Sequence, residues 1–176
     1  MRKIIFISLL LLVSCKKNEE IKDVDTILMS IKNYTCDTRI ERFSNKNVLV
    51  FNAKETYKYP DNYSICFDDD TNISYINNIL TIHNGKTGDK KEISDYQNIN
   101  KNPLFLSYFL NTYFNNRSDV SKDSSEVTIV LPDNNSYLYK ATLKTNNNVP
   151  YSLTYFDKND TPLVNIIYNK FDFESL

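Results

Sequence analysis

Asn102-Pro103-Leu104-Phe105-Leu106-Ser107-Tyr108-Phe109-Leu110-Asn111-Thr112-Tyr113-Phe114 decides how this chain folds. Asparagine before proline reads as an N-cap followed by the first helical position. The residues behind it are apolar nearly all round, so a helix here must be covered on most sides. At about 11–13 residues it is too short to span a bilayer. It is a buried helix inside a soluble domain, and the remaining chain has to supply the cover.

The flanking sequence is patterned for strands. Upstream, Tyr34, Cys36, Thr38 and Ile40 alternate with Thr35, Asp37, Arg39 and Glu41. After the Ser44-Asn45-Lys46-Asn47 turn, a second strand sets Leu49, Phe51, Ala53, Tyr57 and Tyr59 on one face. Tyr59-Pro60-Asp61-Asn62 turns into a third strand, Tyr63 to Phe67. Ile73 to Ile76 and Ile79 to His83 form a hairpin across Asn77-Asn78, a dipeptide suited to positive φ. The Asn84 to Gly88 loop leads to a weaker strand around Lys91 to Ser94. Downstream, Val127, Ile129 and Leu131 alternate, then Tyr137, Tyr139, Ala141 and Leu143. Tyr151, Leu153 and Tyr155 follow, and a last strand runs through Val164, Ile166 and Tyr168. Ahead of the strands, Ile21, Val24, Leu28 and Ile31 recur at helical spacing over about residues 19–32. The pattern predicts an α+β fold. Nine or ten strands form a large curved antiparallel sheet, an unclosed barrel, with an N-terminal helix covering an open end and the central helical insertion filling the concave side.

The first residues are of another kind. Arg2 and Lys3 precede an apolar run from Ile4 to Val13, then Ser14 and Cys15. Basic, apolar, small and cysteine in that order form a secretory signal. Leu12-Val13-Ser14-Cys15 resembles the bacterial lipobox, in which the cysteine becomes the lipidated first residue. The expected organisation is a signal peptide over 1–14, a lipidated tether over 15–18 and one domain over 19–176. Export permits disulfides. Cys36 and Cys66, however, fall on the first and third strands of a meander, about 10 Å apart, so two buried free thiols are expected.

Composition excludes several functions. There are 21 Lys and Arg against 22 Asp and Glu, spread along the chain, so no basic surface for nucleic acid is present. Glycine occurs twice, and no phosphate-binding glycine motif is found. His83 is the only histidine. It closes a strand beside Asn84-Gly85 and is read as solvated, which leaves no multi-histidine metal site. Asp68-Asp69-Asp70 lacks the alternating ligands of a calcium loop and is read as a solvated turn. Glu41, Glu55, Glu92 and Glu126 could offer a glycosidase pair, but nothing in the sequence selects one. No catalytic residue, metal or cofactor is assigned. Tyr57, Tyr59, Tyr137, Tyr139, Tyr151 and Tyr155 are either core built from bulky strand formers or an aromatic binding face, since tyrosine joins apolar area to a hydroxyl.

The order of signal, helix, strands, central helical insertion and further strands resembles the LolA/LolB lipoprotein-carrier superfamily, an unclosed barrel with a helical lid. Within it the chain is similar to the clostridial germination lipoproteins of the GerS type. The residues that carry the likeness are Leu12-Val13-Ser14-Cys15, Ile31-Lys32-Asn33-Tyr34-Thr35-Cys36 and Lys54-Glu55-Thr56-Tyr57-Lys58-Tyr59-Pro60-Asp61-Asn62-Tyr63. Asn102 to Phe109 and Ala141-Thr142-Leu143 add to it. The likeness spans about residues 19–172, and most of those positions are core or turn. It implies a non-enzymatic protein, anchored by lipid on Cys15 at the extracytoplasmic face of a spore or forespore membrane. Such a protein binds and activates a cortex N-acetylmuramoyl-L-alanine amidase; whether it also forms a homodimer stays open. The alternative is a carrier of lipids or lipoproteins in the half-barrel cavity.

Overall fold

The structure, a computed structural model, describes residues 24–94, 102–115, 120–132, 137–147 and 149–174. The signal, Cys15, the tether and the first turn of the expected N-terminal helix lie outside the described residues. Helix α1 spans Val24–Ser30 and buries Val24, Ile27 and Leu28. Six strands follow: β1 Asn33–Phe43, β2 Val48–Lys58, β3 Asn62–Phe67, β4 Thr71–Ile76, β5 Ile79–Asn84 and β6 Lys90–Ser94. Helix α2 is Leu106–Asn115, and five more strands complete the chain: β7 Val120–Lys122, β8 Glu126–Val130, β9 Lys140–Asn146, β10 Val149–Phe156 and β11 Pro162–Glu174.

All eleven strands form one antiparallel sheet in the order β6-β5-β4-β3-β2-β1-β11-β10-β9-β8-β7. The first half of the chain steps outward from β1 to β6, and the second steps inward from β7 to β11. The halves meet where β1 pairs with β11, from Asn33 against Glu174 to Arg42 against Val164. Edge strands β6 and β7 stay unpaired with each other, so the barrel is open, as expected, and α2 lies between them in sequence.

Glycine scarcity has a local answer. Asp70, Asn77, Asn78, Asn147 and Asp160 all take positive φ in turns. Asn and Asp tolerate this region because their short side chains bond the nearby backbone. The Asn77-Asn78 hairpin is as the sequence predicts, closing β4 on β5 at Ile76 against Ile79.

The core lies on the concave side. Tyr34, Cys36, Thr38 and Ile40 of β1 are all buried, and Phe105, Leu106 and Phe109 are almost wholly enclosed against the sheet. Apolar burial of this kind is the main term holding the helix to the sheet, at about 1.5–3 kcal/mol per large side chain. Asp25 ties the lid together, accepting a hydrogen bond from the Tyr113 hydroxyl of α2 and pairing with Lys122 of β7 at 3.1 Å.

Four expectations need correction, the first being the strand number: eleven strands stand where nine or ten are expected, because β7 is only three residues long and shows no alternation. Cys36 and Cys66 are free, but only Cys36 is buried; Cys66 stands across from Lys54 on the convex face. Leu49 and Phe51 continue the inward face of β2, yet they are about half exposed, at the end of the strand that β3 does not pair with. Asn102 caps the turn before α2, through Leu104 N–H to Oδ1 at 3.0 Å, while the helix itself starts only at Leu106.

Candidate functional site

β2 points Ala53, Glu55 and Tyr57 into the concave core in alternate positions. Glu55 is therefore a carboxylate at 0% exposure, the least expected residue in the molecule. Its Oε1 accepts a short hydrogen bond from the Tyr34 hydroxyl of β1 and a long one, 3.4 Å, from the Leu106 N–H that opens α2. A helix N-terminus carries unpaired N–H groups and partial positive charge, so a carboxylate there is favoured. Here the acceptor comes from a distant strand in place of a local capping residue.

Electrostatics around Glu55 are governed by burial. Desolvation lifts its carboxyl to about 7, against the opposing pull of the bonds from Tyr34 and Leu106. The hydroxyls of Tyr34, Tyr155 and Tyr168 are held well above the ordinary phenol range, first by burial, with Glu55 adding to the rise. The Cys36 thiol is raised by burial and then by Glu55. Well below pH 7 this centre is an uncharged polar cluster inside an apolar core, drawing together β1, β2, β10, β11 and α2.

The other candidate carboxylates stand apart from it. Glu41 pairs with Arg39 at 3.0 Å and accepts from Asn165, a bond that holds its carboxyl below the usual range. Glu92 pairs with Lys90 at 2.7 Å and Glu126 with Lys144 at 3.3 Å. None of the three joins Glu55. Asp68 and Asp69 spend their oxygens on Asn52 and on the Thr71 N–H. His83 is exposed on β5, opposite Lys90.

The six tyrosines divide. Tyr57 and Tyr155 belong to the core, Tyr57 stacking on Tyr63 with centroids 4.9 Å apart. Tyr59, Tyr137, Tyr139 and Tyr151 are exposed, Tyr137 at 78%. Tyr151 leaves the inward face because the pairing register shifts between Pro150 and Ser152. Tyr137 and Tyr139 precede β9, which starts only at Lys140. Tyr59 sits past the end of β2 under the Lys32 ammonium, 5.0 Å from its ring centroid. With Met29, Asn111 and Phe114 it lines an open cleft of about 440 Å³ between α1 and α2. Glu55 is findable from sequence by parity, since it shares the period of Ala53 and Tyr57; its charge hides it.

Comparison with known proteins agrees with this architecture. The model of a family described as sporulation protein YdcC-like matches residues 1–175. A chain of the structure of the CwlD amidase from Clostridioides difficile in complex with the GerS lipoprotein is similar at 22% identity. The match covers 99% of this chain and 100% of that one, with a TM-score of 0.54. An uncharacterized conserved protein from Thermus thermophilus is similar at 8% identity, over 92% of this chain and 90% of that one, with a TM-score of 0.54. A LolA superfamily protein from Nitrosomonas europaea also aligns, at 10% identity over 88% and 94% of the two chains, with a TM-score of 0.41. No curated protein sequence matches this chain. For the two structures at a TM-score of 0.54, identities this low make the likeness one of fold.

Proposed function

We propose, because this chain belongs to the YdcC-like sporulation protein family, that it is an exported binding protein of spore formation whose partner is a cell-wall amidase. The observation that carries this reading is the end-to-end fold likeness to a chain from the complex of the CwlD amidase with the GerS lipoprotein. On this reading the chain docks and activates an N-acetylmuramoyl-L-alanine amidase of the cortex and performs no reaction itself. Among the described candidate glutamates, Glu41, Glu92 and Glu126 are committed to surface pairs and none of them joins Glu55.

Cys15 is the proposed lipid attachment, holding the domain at the extracytoplasmic face of the spore or forespore membrane. Among the described residues no helix is long and apolar enough to cross a membrane. Cys15→Ala should move the protein from the membrane to the soluble exported fraction on fractionation; retention in the membrane contradicts the anchor. The chain lacking residues 1–15, used as bait in sporulating cells, should recover an amidase. Recovery of no cell-wall enzyme contradicts the partner.

The cleft between α1 and α2 favours a second reading, a lipid or lipoprotein carrier, since ligand sites start at about 300 Å³. Against it stands the hollow of the sheet, where Phe105, Leu106 and Phe109 are packed with at most 1% exposure. Native mass spectrometry of the purified chain separates the two readings, because a carrier retains a lipid-sized mass.

A further inference from the structure

One end of β2 is an unfinished piece of sheet. β1 pairs with β2 along its full length, from Phe43 against Val48 to Asn33 against Lys58. On the other side β3 begins only at Ala53 against Phe67, with the Asp68 N–H reaching the Asn52 carbonyl at 3.1 Å. That bond sets the parity: even-numbered residues of β2 direct their N–H and C=O toward β3, and odd-numbered ones toward β1. Among the described residues, Val48 and Val50 therefore present backbone donors and acceptors to an edge with no strand on it. Val48, Leu49, Val50 and Phe51 are 43–49% exposed, although every one is apolar. Natural edges are shielded by lysines, prolines or bulges placed along them; this segment has none.

We infer that the open edge at Val48–Asn52 is a docking site for one extended segment of a partner protein, which adds there as an antiparallel strand in line with β3. This rests on the reading of the chain as a partner-binding protein and names the surface that reading lacks. Strand addition draws affinity from main-chain hydrogen bonds and selectivity from alternate side chains. Val48 and Val50 offer apolar contact on the convex face, while Leu49 and Phe51 offer it on the concave face, where Phe51 already meets Phe67 edge-on. Charge sets the direction. Asp68, Asp69 and Asp70 stand exposed at the β3 end of the gap, and Lys46 in the β1–β2 turn. An antiparallel segment starts beside the aspartates and finishes beside the turn, so it should be basic at its beginning, apolar in its middle and acidic at its end.

A second copy of this chain fits the edge less well. Two-fold pairing centred on Val50 runs Asn47 of one copy into the place opposite Ala53 that Phe67 of β3 already holds in the other. Four half-exposed side chains also fall short of the about 800 Å² per partner that a stable dimer buries.

The test uses the exported chain and the synthetic peptide acetyl-Lys-Val-Thr-Val-Thr-Val-Glu-amide, followed by amide NMR and hydrogen exchange. Binding should shift and protect the Val48 and Val50 amides and leave those of Leu49 and Phe51 unchanged in exchange. The peptide with Lys and Glu interchanged should bind at least threefold more weakly. Val50→Pro removes an edge donor without touching a bond to β1, and should abolish the effect with the melting temperature maintained. Val50→Lys, which keeps the backbone intact, should weaken it several-fold. Peptide binding elsewhere, or equal binding by both variants, overturns the inference. The same variants are then measured against a purified cortex amidase. A tenfold loss with Val50→Pro supports the edge as the docking site. Unchanged amidase affinity overturns that assignment while the amidase reading stands. An amidase that fails to bind the parent chain removes the partner reading, and the peptide result still decides the edge. A parent dimer that Val50→Pro dissolves would give the edge to a second copy and overturn the proposal.

Discussion

β2 is one strand with two unlike halves. From Ala53 to Lys58 it is paired on both sides and sends Ala53, Glu55 and Tyr57 into the core. From Val48 to Phe51 it is paired on one side, and four apolar residues are left about half in water. The one carboxylate of the strand, Glu55, is inside and four greasy residues are outside, the reverse of what hydropathy alone suggests. Exposure along a strand is set by what lies beside and over it: Leu106 of α2 meets Glu55 in one half, and β3 stops short of the other. A buried polar residue or an exposed apolar patch is for that reason more informative than the usual arrangement.

The contrast can be broken most severely from the covered side. Phe109→Asp, which places an unpaired charge where α2 is fully enclosed, should cost more than about 4 kcal/mol and abolish cooperative unfolding. A normal melting curve would mean α2 is not the cover.

The Glu55 carboxyl gives a finer measure, because its folded value near 7 lies above its ordinary 4.5. A raised value means the fold prefers the protonated form. Its contribution is full below about pH 4.5, falls as pH rises through about 7, and is level above that. The expected loss is about 3 kcal/mol, read as urea midpoints between pH 4.5 and 8. Glu55→Gln should flatten that slope and exceed the parent in stability at pH 8. Parallel curves for the two proteins would show that Glu55 titrates as if exposed.

The uncovered half should respond least. Leu49→Ser removes apolar area that water already reaches, so its effect on unfolding should stay under about 1 kcal/mol. A larger loss would place Leu49 in the core and erase the difference between the halves.

Much of the architecture is legible in the residues. Alternation in Tyr34 to Ile40 and the Asn77-Asn78 turn report on neighbours within a few positions and hold, and the apolar helix holds from Leu106 onward. Alternation misleads where the register slips, as at Tyr151, and where a strand starts late, as at Tyr139 before β9. Cys66, expected inside, lies outside, because strand spacing bears on bonding distance and carries no information on which face a residue takes.

Local pattern alone establishes most of the strands, the turns and the greasy helix, since period and turn chemistry act between residues close in the chain. Three things depend on contacts between residues far apart: the joining of β1 to β11, the carboxylate of β2 at the head of α2, and the point where β3 ceases to cover β2. They arise when the sheet curls around the helix, and the balance of desolvation against hydrogen bonding at Glu55 exists only once that enclosure has formed.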